Sequence, residues 1–114
     1  MKKKVNSRAK GKRGELEAAK LIAATFNVNA RRGQQFAGGS DSPDIVSDVE
    51  GIHWEIKRVE NLNVLNAIKQ AVRDAGDGNV PVVLHRKNGE EWLLTLRFAD
   101  IKILVAKLSK YLDL

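Results

Sequence analysis

Two acidic residues and a lysine have types and a spacing that suit phosphate chemistry. Asp44 is followed, after ten intervening residues, by the segment Glu55-Ile56-Lys57. Carboxylates from two neighbouring strands make an oxygen-ligand site for a hard divalent cation such as Mg²⁺ or Mn²⁺. Such a cation lowers the pKa of a bound water and stabilises charge on phosphorus, and a nearby lysine neutralises the charge that develops. The trio therefore fits phosphodiester hydrolysis.

The three side chains meet if the two segments that carry them form a hairpin. Residues 44–49 and 52–59 both have strand composition, and Glu50-Gly51 between them suits a two-residue turn. In that register Asp44 lies opposite Lys57, and Glu55 lies on a diagonal from Asp44, roughly 7–8 Å away at the backbone. A second interpretation stays open, in which this is a solvated sheet face with a salt bridge from Asp44 to Lys57. His53 on the same face is interpreted as a surface histidine.

The remaining periodicity predicts the elements that must hold this hairpin. The predicted elements are a helix over 7–26, a short strand over 28–32, a Gly- and Ser-rich loop over 34–43, the hairpin, a helix over 61–75, strands over 80–85 and 91–96 joined at Asn88-Gly89, and a final helix from Asp100. Strands and helices in this order are typical of an α/β or α+β fold around one mixed sheet.

The positive charge is concentrated at one end of the chain. The 114 residues include 20 basic and 14 acidic ones, a net charge of +6. Residues 1–13 hold seven of the basic residues and no acid, so the rest carries 13 basic and 14 acidic residues. Basic arms of this kind commonly contact a polyanion such as nucleic acid. A solubilising tail is the alternative.

Composition also excludes several kinds of site. The chain has no cysteine, which excludes disulfides, thiolate metal sites and cysteine nucleophiles. Its two histidines are too few for a three-histidine zinc site. No apolar run approaches the roughly 20 residues that span a membrane, and we expect an intracellular protein.

Three motifs together resemble a known group of nucleases. Pro43-Asp44 followed by Glu55-Ile56-Lys57 resembles the PD-(D/E)xK motif of the restriction-endonuclease-like superfamily. The segment Gly11-Lys12-Arg13-Gly14-Glu15-Leu16-Glu17 resembles the first helix of its Holliday junction resolvase branch, and Gly38-Gly39-Ser40-Asp41-Ser42 resembles that branch's loop. Small phage-type nucleases, including the virus-type replication-repair group, are similar too. The resemblance implies a mixed five-stranded sheet flanked by helices, with a basic arm over 1–13 and one nuclease domain over 14–114.

The resemblance also implies roles for particular residues. Asp44 and Glu55 would be metal ligands, with the backbone carbonyl of Ile56 as a further ligand, and Lys57 would act on the attacking water or the scissile phosphate. Glu15 would complete the acidic site by binding metal or orienting its water, with Glu17 as a rival for that role. Gln70 matches, more loosely, a helix position near the site. The implied cofactor is Mg²⁺ or Mn²⁺.

A second set of residues is predicted to contact DNA. These residues are Arg8, Lys10, Lys12 and Arg13 in the basic arm, Arg31 and Arg32 before the loop, Ser40 in the loop, and Lys69 with Arg73 on one face of the second predicted helix. An exposed strand end, an ordinary loop serine and a solvated helix face are the respective alternatives.

These features together predict a metal-dependent DNA endonuclease that resembles Holliday junction resolvases and cuts branched DNA as a homodimer. One alternative is a nuclease of the same fold that acts on flaps, nicks or duplex DNA. Another is a DNA-binding module without catalysis. The resemblance to phage-type nucleases favours action inside a bacterial or phage-infected cell.

Overall fold

The computed structural model describes residues 7–33 and 44–112, and the side chains from residue 10 onward within those ranges. Its elements are α1 (Ser7–Phe26), β1 (Ala30–Arg32), β2 (Ile45–Ser47), β3 (Ile52–Arg58), α2 (Val64–Ala75), β4 (Val80–Arg86), β5 (Leu93–Leu96), a short 3₁₀ turn (Phe98–Asp100) and α3 (Ile101–Leu112).

 The predicted order of helices and strands is confirmed. Ser40 and the side chain of Arg8 lie outside the described residues.

The predicted hairpin between β2 and β3 is wrong. Strand β2 pairs with β1 instead, antiparallel, with Ala30 opposite Ser47 and Arg32 opposite Ile45. Two further backbone bonds extend this ladder at its ends, from Asp48 N to Asn29 O at 3.0 Å and from Gly33 N to Asp44 O at 2.8 Å. Strand β2 therefore forms its ladder with β1, and Asp44 does not lie opposite Lys57 in a ladder.

Strand β3 belongs to a second sheet. It pairs with β4 in parallel, with Ile52 opposite Val80, and β4 pairs with β5 antiparallel, with Val82 opposite Leu96. The described strands thus form sheets of two and three strands rather than the single five-stranded sheet that was predicted. Gly51 adopts a positive φ of 82°, as a turn requires, but its carbonyl accepts from Val80 N at 2.8 Å. The turn therefore directs the chain alongside β4 instead of back along β2.

Helices cover both faces of the three-stranded sheet. On one face, Ala18, Ala19 and Ile22 of α1 and Leu104 of α3 share a core with Trp54 and its neighbours in the sheet. Ile45, Val49, Ile52 and Ile56 are buried in the same core.

On the other face, α2 packs Ala67 and Ala71 against Val83 of β4. Because Glu55 is the register partner of Val83, its side chain points to this same face, and His53 lies two residues away on the same strand. His53 and Glu55 are consequently buried beneath α2, at 9% and 4% exposure. The interpretation of His53 as a surface histidine is wrong, because the helix that connects two parallel strands covers one face of their sheet.

The ends of α2 follow from its sequence. The Asn63 side chain accepts a hydrogen bond from Asn66 N at 3.0 Å, so the helix begins at Val64 rather than at the predicted Asn61. Gly76, with a φ of 68°, ends it as predicted. In the part of the chain that the structure describes, no helix combines the length and apolar character needed to cross a bilayer.

Candidate active site

Two carboxyl groups meet beside the end of β3. Asp44 lies just before β2, and its Oδ2 atom accepts a hydrogen bond from the backbone N–H of Ile56 at 2.9 Å. This bond brings Asp44 next to Glu55, although the two residues are not paired through a hairpin. Burial, together with the charges of Glu55 and Glu15, raises the pKa of Asp44 to about 7, and the hydrogen bond from the Ile56 N–H opposes that rise. A cation bound between the two carboxylates would relieve this repulsion.

Glu15 of α1 is the third carboxyl group of this cluster. Burial raises its pKa, the neighbouring Arg32 lowers it, and the charge of Glu55 raises it. Arg32 Nε lies 3.5 Å from Glu15 Oε1, an ion-pair distance without hydrogen-bond geometry. The other oxygen, Oε2, is buried and has no hydrogen-bond partner. Buried polar atoms in native proteins are nearly always paired, so this oxygen suits a ligand such as a cation or its water.

Glu17, the rival of Glu15, points elsewhere. Its Oε1 atom accepts a hydrogen bond from Trp92 Nε1 at 2.9 Å and pairs with Arg86. Residues two apart on a helix lie on different sides, which separates the two glutamates of α1. Glu17 therefore joins α1 to the chain around β4 and β5, and Glu15 is the glutamate of α1 that belongs to the acidic cluster.

Lys57 lies on the same face of β3 as Glu55. Its Nζ atom donates to Gln70 Oε1 at 2.8 Å and is 4.0 Å from Glu55 Oε2. Gln70 reaches the lysine from α2, which packs on this face. The structure thus brings together Asp44, Glu55, Lys57, Glu15 and Gln70, and places Ile56 beside them through the backbone bond to Asp44.

Of two further residues near Glu55, His53 was misjudged from the sequence and Asp74 was missed. His53 Nε2 is 3.2 Å from Glu55 Oε1, so the two oxygens of this carboxylate face different partners. Asp74 of α2 approaches the same place, and one donor atom each from His53, Glu55 and Asp74 lie within 4.8 Å of one another. The signal was present in the alternation of His53, Glu55 and Lys57 on one strand and in the four-residue spacing of Gln70 and Asp74.

Comparison with known proteins agrees with this geometry. Residues 6–113 match the family model described as "Phage putative PDDEXK endonuclease". The chain belongs to this PD-(D/E)xK family. Among solved structures it is similar to Hjc, a Holliday junction resolvase from the archaeal hyperthermophile Archaeoglobus fulgidus, with 23% identity and a TM-score of 0.52. That match covers 76% of this chain and 72% of Hjc, and it shows a shared fold of the restriction-endonuclease type. No curated protein matches the chain.

Membership in the PD-(D/E)xK family makes the protein a nuclease that acts on DNA, and nucleases of this kind use divalent metal ions. The donor set of this PD-(D/E)xK nuclease fits such an ion. Asp44, Glu55 and Glu15 offer carboxylate oxygens, which hard cations prefer. The raised pKa of Asp44 and the buried Oε2 of Glu15, which has no hydrogen-bond partner, both fit a cation bound among these carboxylates.

A basic cleft of the PD-(D/E)xK nuclease lies between the first turns of α1 and the end of β3. It has a volume of about 290 Å³ and is lined by Lys10, Arg13, Gly14, Glu17, Arg58 and Asn88. Arg58 follows Lys57 directly and donates to Asn88 Oδ1 at 2.8 Å, and Lys10 pairs with Glu60 at 3.4 Å. Lys10 and Arg13 are among the residues that the sequence predicts to contact DNA, whereas Arg58 is not.

The other residues predicted to contact DNA are spread over the surface. Lys12, Arg31, Lys69 and Arg73 are exposed and lie outside the acidic cluster. Arg32 differs from them, because it turns inward to Glu15 and is positioned to orient that carboxylate. Residues 7–13 of the predicted basic arm are the first turns of α1, so Lys10, Lys12 and Arg13 project from a helix that also carries Glu15.

Proposed function

We propose that this nuclease cleaves branched DNA as a homodimer, with Asp44, Glu55, Lys57 and Glu15 as its catalytic residues, Gln70 as a positioning residue and Mg²⁺ or Mn²⁺ as its cofactor. The observation that carries the proposal is the convergence of three carboxyl groups and one ammonium group beside β3. Such a set suits the hydrolysis of a phosphodiester, since it combines cation ligands with a positive charge for the phosphate.

Each residue has a distinct task in this proposal. Asp44 and Glu55 hold the cation, which when bound supplies a Lewis acid and acidifies a water. The backbone carbonyl of Ile56 would be a further ligand, and Glu15 would bind the cation or orient its water. Lys57, held by Gln70 Oε1 at 2.8 Å, stabilises the negative charge that develops on the scissile phosphate.

The basic residues of α1 extend the proposed site toward the DNA backbone. Lys10, Lys12 and Arg13 would contact phosphates on either side of the scissile bond, and Arg8 and Ser40 are retained in the same role from the sequence. Arg31, Lys69 and Arg73 would contact more distant phosphates. Residues 1–13 then act as a basic arm and residues 14–114 as the nuclease domain, working inside a phage-infected bacterial cell.

Branched DNA and a homodimer belong to one proposal because a four-way junction is itself two-fold symmetric. A two-fold dimer places two equivalent sites on symmetric strands. On α3, Ile101, Val105 and Leu112 are 42%, 51% and 40% exposed. Their spacing brings them to one side of the helix, which gives an apolar stripe for a second copy. The similarity in fold to Hjc supports the same choice of substrate.

Cleavage of labelled DNA tests the substrate and the site together. We would incubate the protein with a four-way junction, a flap and a plain duplex, with Mg²⁺, Mn²⁺ or EDTA, beside Asp44→Asn and the exposed control Asp77→Asn. Paired, symmetric, metal-dependent cuts in the junction, lost in Asp44→Asn and retained in Asp77→Asn, are expected. Cuts confined to flap or duplex would overturn the choice of substrate, and cleavage by Asp44→Asn at the normal rate would overturn the site.

A further inference from the structure

His53, Glu55 and Asp74 form a mixed donor set beside the proposed catalytic cation. One donor atom of each lies within 4.8 Å of the other two, and His53 and Glu55 are at least nine-tenths buried. Ligands about 2.1 Å from an ion lie roughly 3.0–4.2 Å apart from one another. Small side-chain rotations would therefore close this set on an ion.

The two oxygens of the Glu55 carboxylate have different neighbours. Its Oε1 atom is 3.2 Å from His53 Nε2, and its Oε2 atom is 4.0 Å from Lys57 Nζ, on the side of the residues proposed for catalysis. A carboxylate in this position can bind one cation with each oxygen. Two-metal hydrolytic sites place their ions about 3.5–4 Å apart, a separation that one bridging carboxylate spans.

We propose that His53, Glu55 and Asp74 bind a second divalent cation of the transition-metal class, with Glu55 bridging it to the cation at Asp44. An imidazole ligand selects the class, because Mn²⁺ and its heavier neighbours accept nitrogen, whereas Mg²⁺ prefers oxygen. His53 Nε2 offers a lone pair when its proton resides on Nδ1. This inference rests on the proposed function for the cation at Asp44, but it does not depend on the DNA substrate or on dimerisation.

Two elements, β3 and α2, hold His53, Glu55 and Asp74. His53 and Glu55 lie two residues apart on β3 and therefore share one face of the strand, and Asp74 lies one helical turn after Gln70 on α2. The packing of Ala67 and Ala71 on Val83 fixes α2 over this face of the sheet. The positions of the three ligands are thus set by the same packing that places Gln70 against Lys57.

Metal binding without DNA tests the second site. Calorimetric titration of the full chain with Mn²⁺ should give two ions per chain, and titration with Mg²⁺ should give one. Asp74→Asn, which preserves side-chain shape, should bind one Mn²⁺, as should His53→Ala. The matched control Asp77→Asn, an exposed aspartate just beyond the end of α2, should still bind two. Circular dichroism without metal checks that each variant is folded.

The variants separate this inference from the proposed function. Asp44→Asn should lose one Mn²⁺ but retain the ion at His53 and Asp74, and Glu55→Gln should lose both. Electron paramagnetic resonance of the Mn²⁺-loaded wild type should show coupling between two nearby ions, and that coupling should vanish in Asp74→Asn. Two Mn²⁺ in Asp74→Asn, or a single wild-type Mn²⁺ that Asp74→Asn retains, would overturn the second site whatever DNA the protein cuts. A single wild-type Mn²⁺ that Asp74→Asn loses and Asp44→Asn retains would overturn the cation at Asp44 instead.

Discussion

The hydrogen bond from Lys57 to Gln70 gives these two residues different weights in the proposed chemistry. Lys57→Ala removes the positive charge nearest Glu55, and we expect the cleavage rate to fall at least about 100-fold. Gln70→Ala leaves the charge but removes the acceptor that holds it at 2.8 Å, so a loss of about 10-fold is expected. Single-turnover cleavage measures both rates, and gel-shift assays should show unchanged DNA affinity.

A conservative change distinguishes positioning from mere support of the fold. Gln70→Glu retains an acceptor for Lys57 and should recover most of the activity that Gln70→Ala loses. Equal losses in the two Gln70 variants, with normal unfolding free energies, would contradict a positioning role for the side-chain oxygen.

The raised pKa of Asp44 predicts an unusual dependence of stability on pH. In the folded chain without metal this pKa is about 7, against 3.8 as its ordinary value. Between about pH 4 and pH 7 the folded state therefore keeps a proton on Asp44 that the unfolded state has released, so the free energy of unfolding falls as the pH rises. The stabilisation is complete below about pH 4 and is lost as the pH rises to about 7, with a slope of at most about 1.4 kcal/mol per pH unit.

Urea unfolding in EDTA at several pH values from 4.5 to 7.5 measures this effect. The unfolding free energy of Asp44→Asn should fall less with rising pH than that of the wild type. The difference between the two proteins isolates Asp44 from other groups, such as His85, whose pKa burial lowers. Parallel curves for the two proteins would show that Asp44 titrates normally.

Proximity of Asp44 and Glu55 was predictable, but for a reason that the structure corrects. The sequence motif indicated that the two carboxylates lie close together. The hairpin inferred to bring them together does not form, because β2 pairs with β1. The side chain of Asp44 reaches β3 through Ile56 N, a contact that no strand pattern reveals. His53 was misjudged for a related reason, since its burial depends on the packing of α2, which lies at least ten residues further along the chain.

At the scale of elements, two glycines of α1 make a matched pair. A Cβ atom at Gly14 would lie 2.6 Å from Arg58 Cβ, whereas one at Gly11 would meet nothing within 4 Å. Alanine at Gly11 should raise the unfolding free energy by about 0.5–1 kcal/mol, because alanine favours a helix. Alanine at Gly14 should lower it by about 1–2 kcal/mol, because overpacking outweighs that gain.

The same pair tests whether the contact of α1 with β3 positions the site. In Gly14→Ala the clash with Arg58 should shift α1 at the position next to Glu15, so cleavage should also slow. Cleavage by Gly11→Ala should be unchanged. Urea unfolding and cleavage assays provide the two measurements. A rise in stability for both variants would mean that α1 does not approach Arg58 this closely.

The elements themselves were easier to predict than their pairing. Helix and turn signals such as Gly76 and Asn88-Gly89 act within a few residues, and each marks an end or a turn that the structure contains. Strand pairing is set by distant partners, and β2 found its partner across the 34–43 segment rather than across Glu50-Gly51. Local turn propensity therefore predicted the turn correctly and the ladder wrongly.

For the whole molecule, the apolar stripe on α3 predicts how the proposed dimer is broken. Val105→Glu places a charge in the centre of the stripe and should produce a monomer, because burying an unpaired carboxylate is costly. Ile103→Glu is the matched control, since Ile103 is equally exposed but lies on the other side of α3. Analytical ultracentrifugation should give a dimer for the wild type and Ile103→Glu, and a monomer for Val105→Glu. A monomeric wild type would contradict the dimer.

The backbone bond between Gly33 N and Asp44 O, at 2.8 Å, joins the two residues that flank the 34–43 segment. The pairing of Arg32 with Ile45 continues from that bond, so the ladder of β1 and β2 sets the position of Asp44 independently of what lies between them. Changes in the length or composition of 34–43 should leave the acidic cluster in place. Evolution can therefore remodel this segment to suit new DNA targets while the hydrolytic chemistry is inherited unchanged.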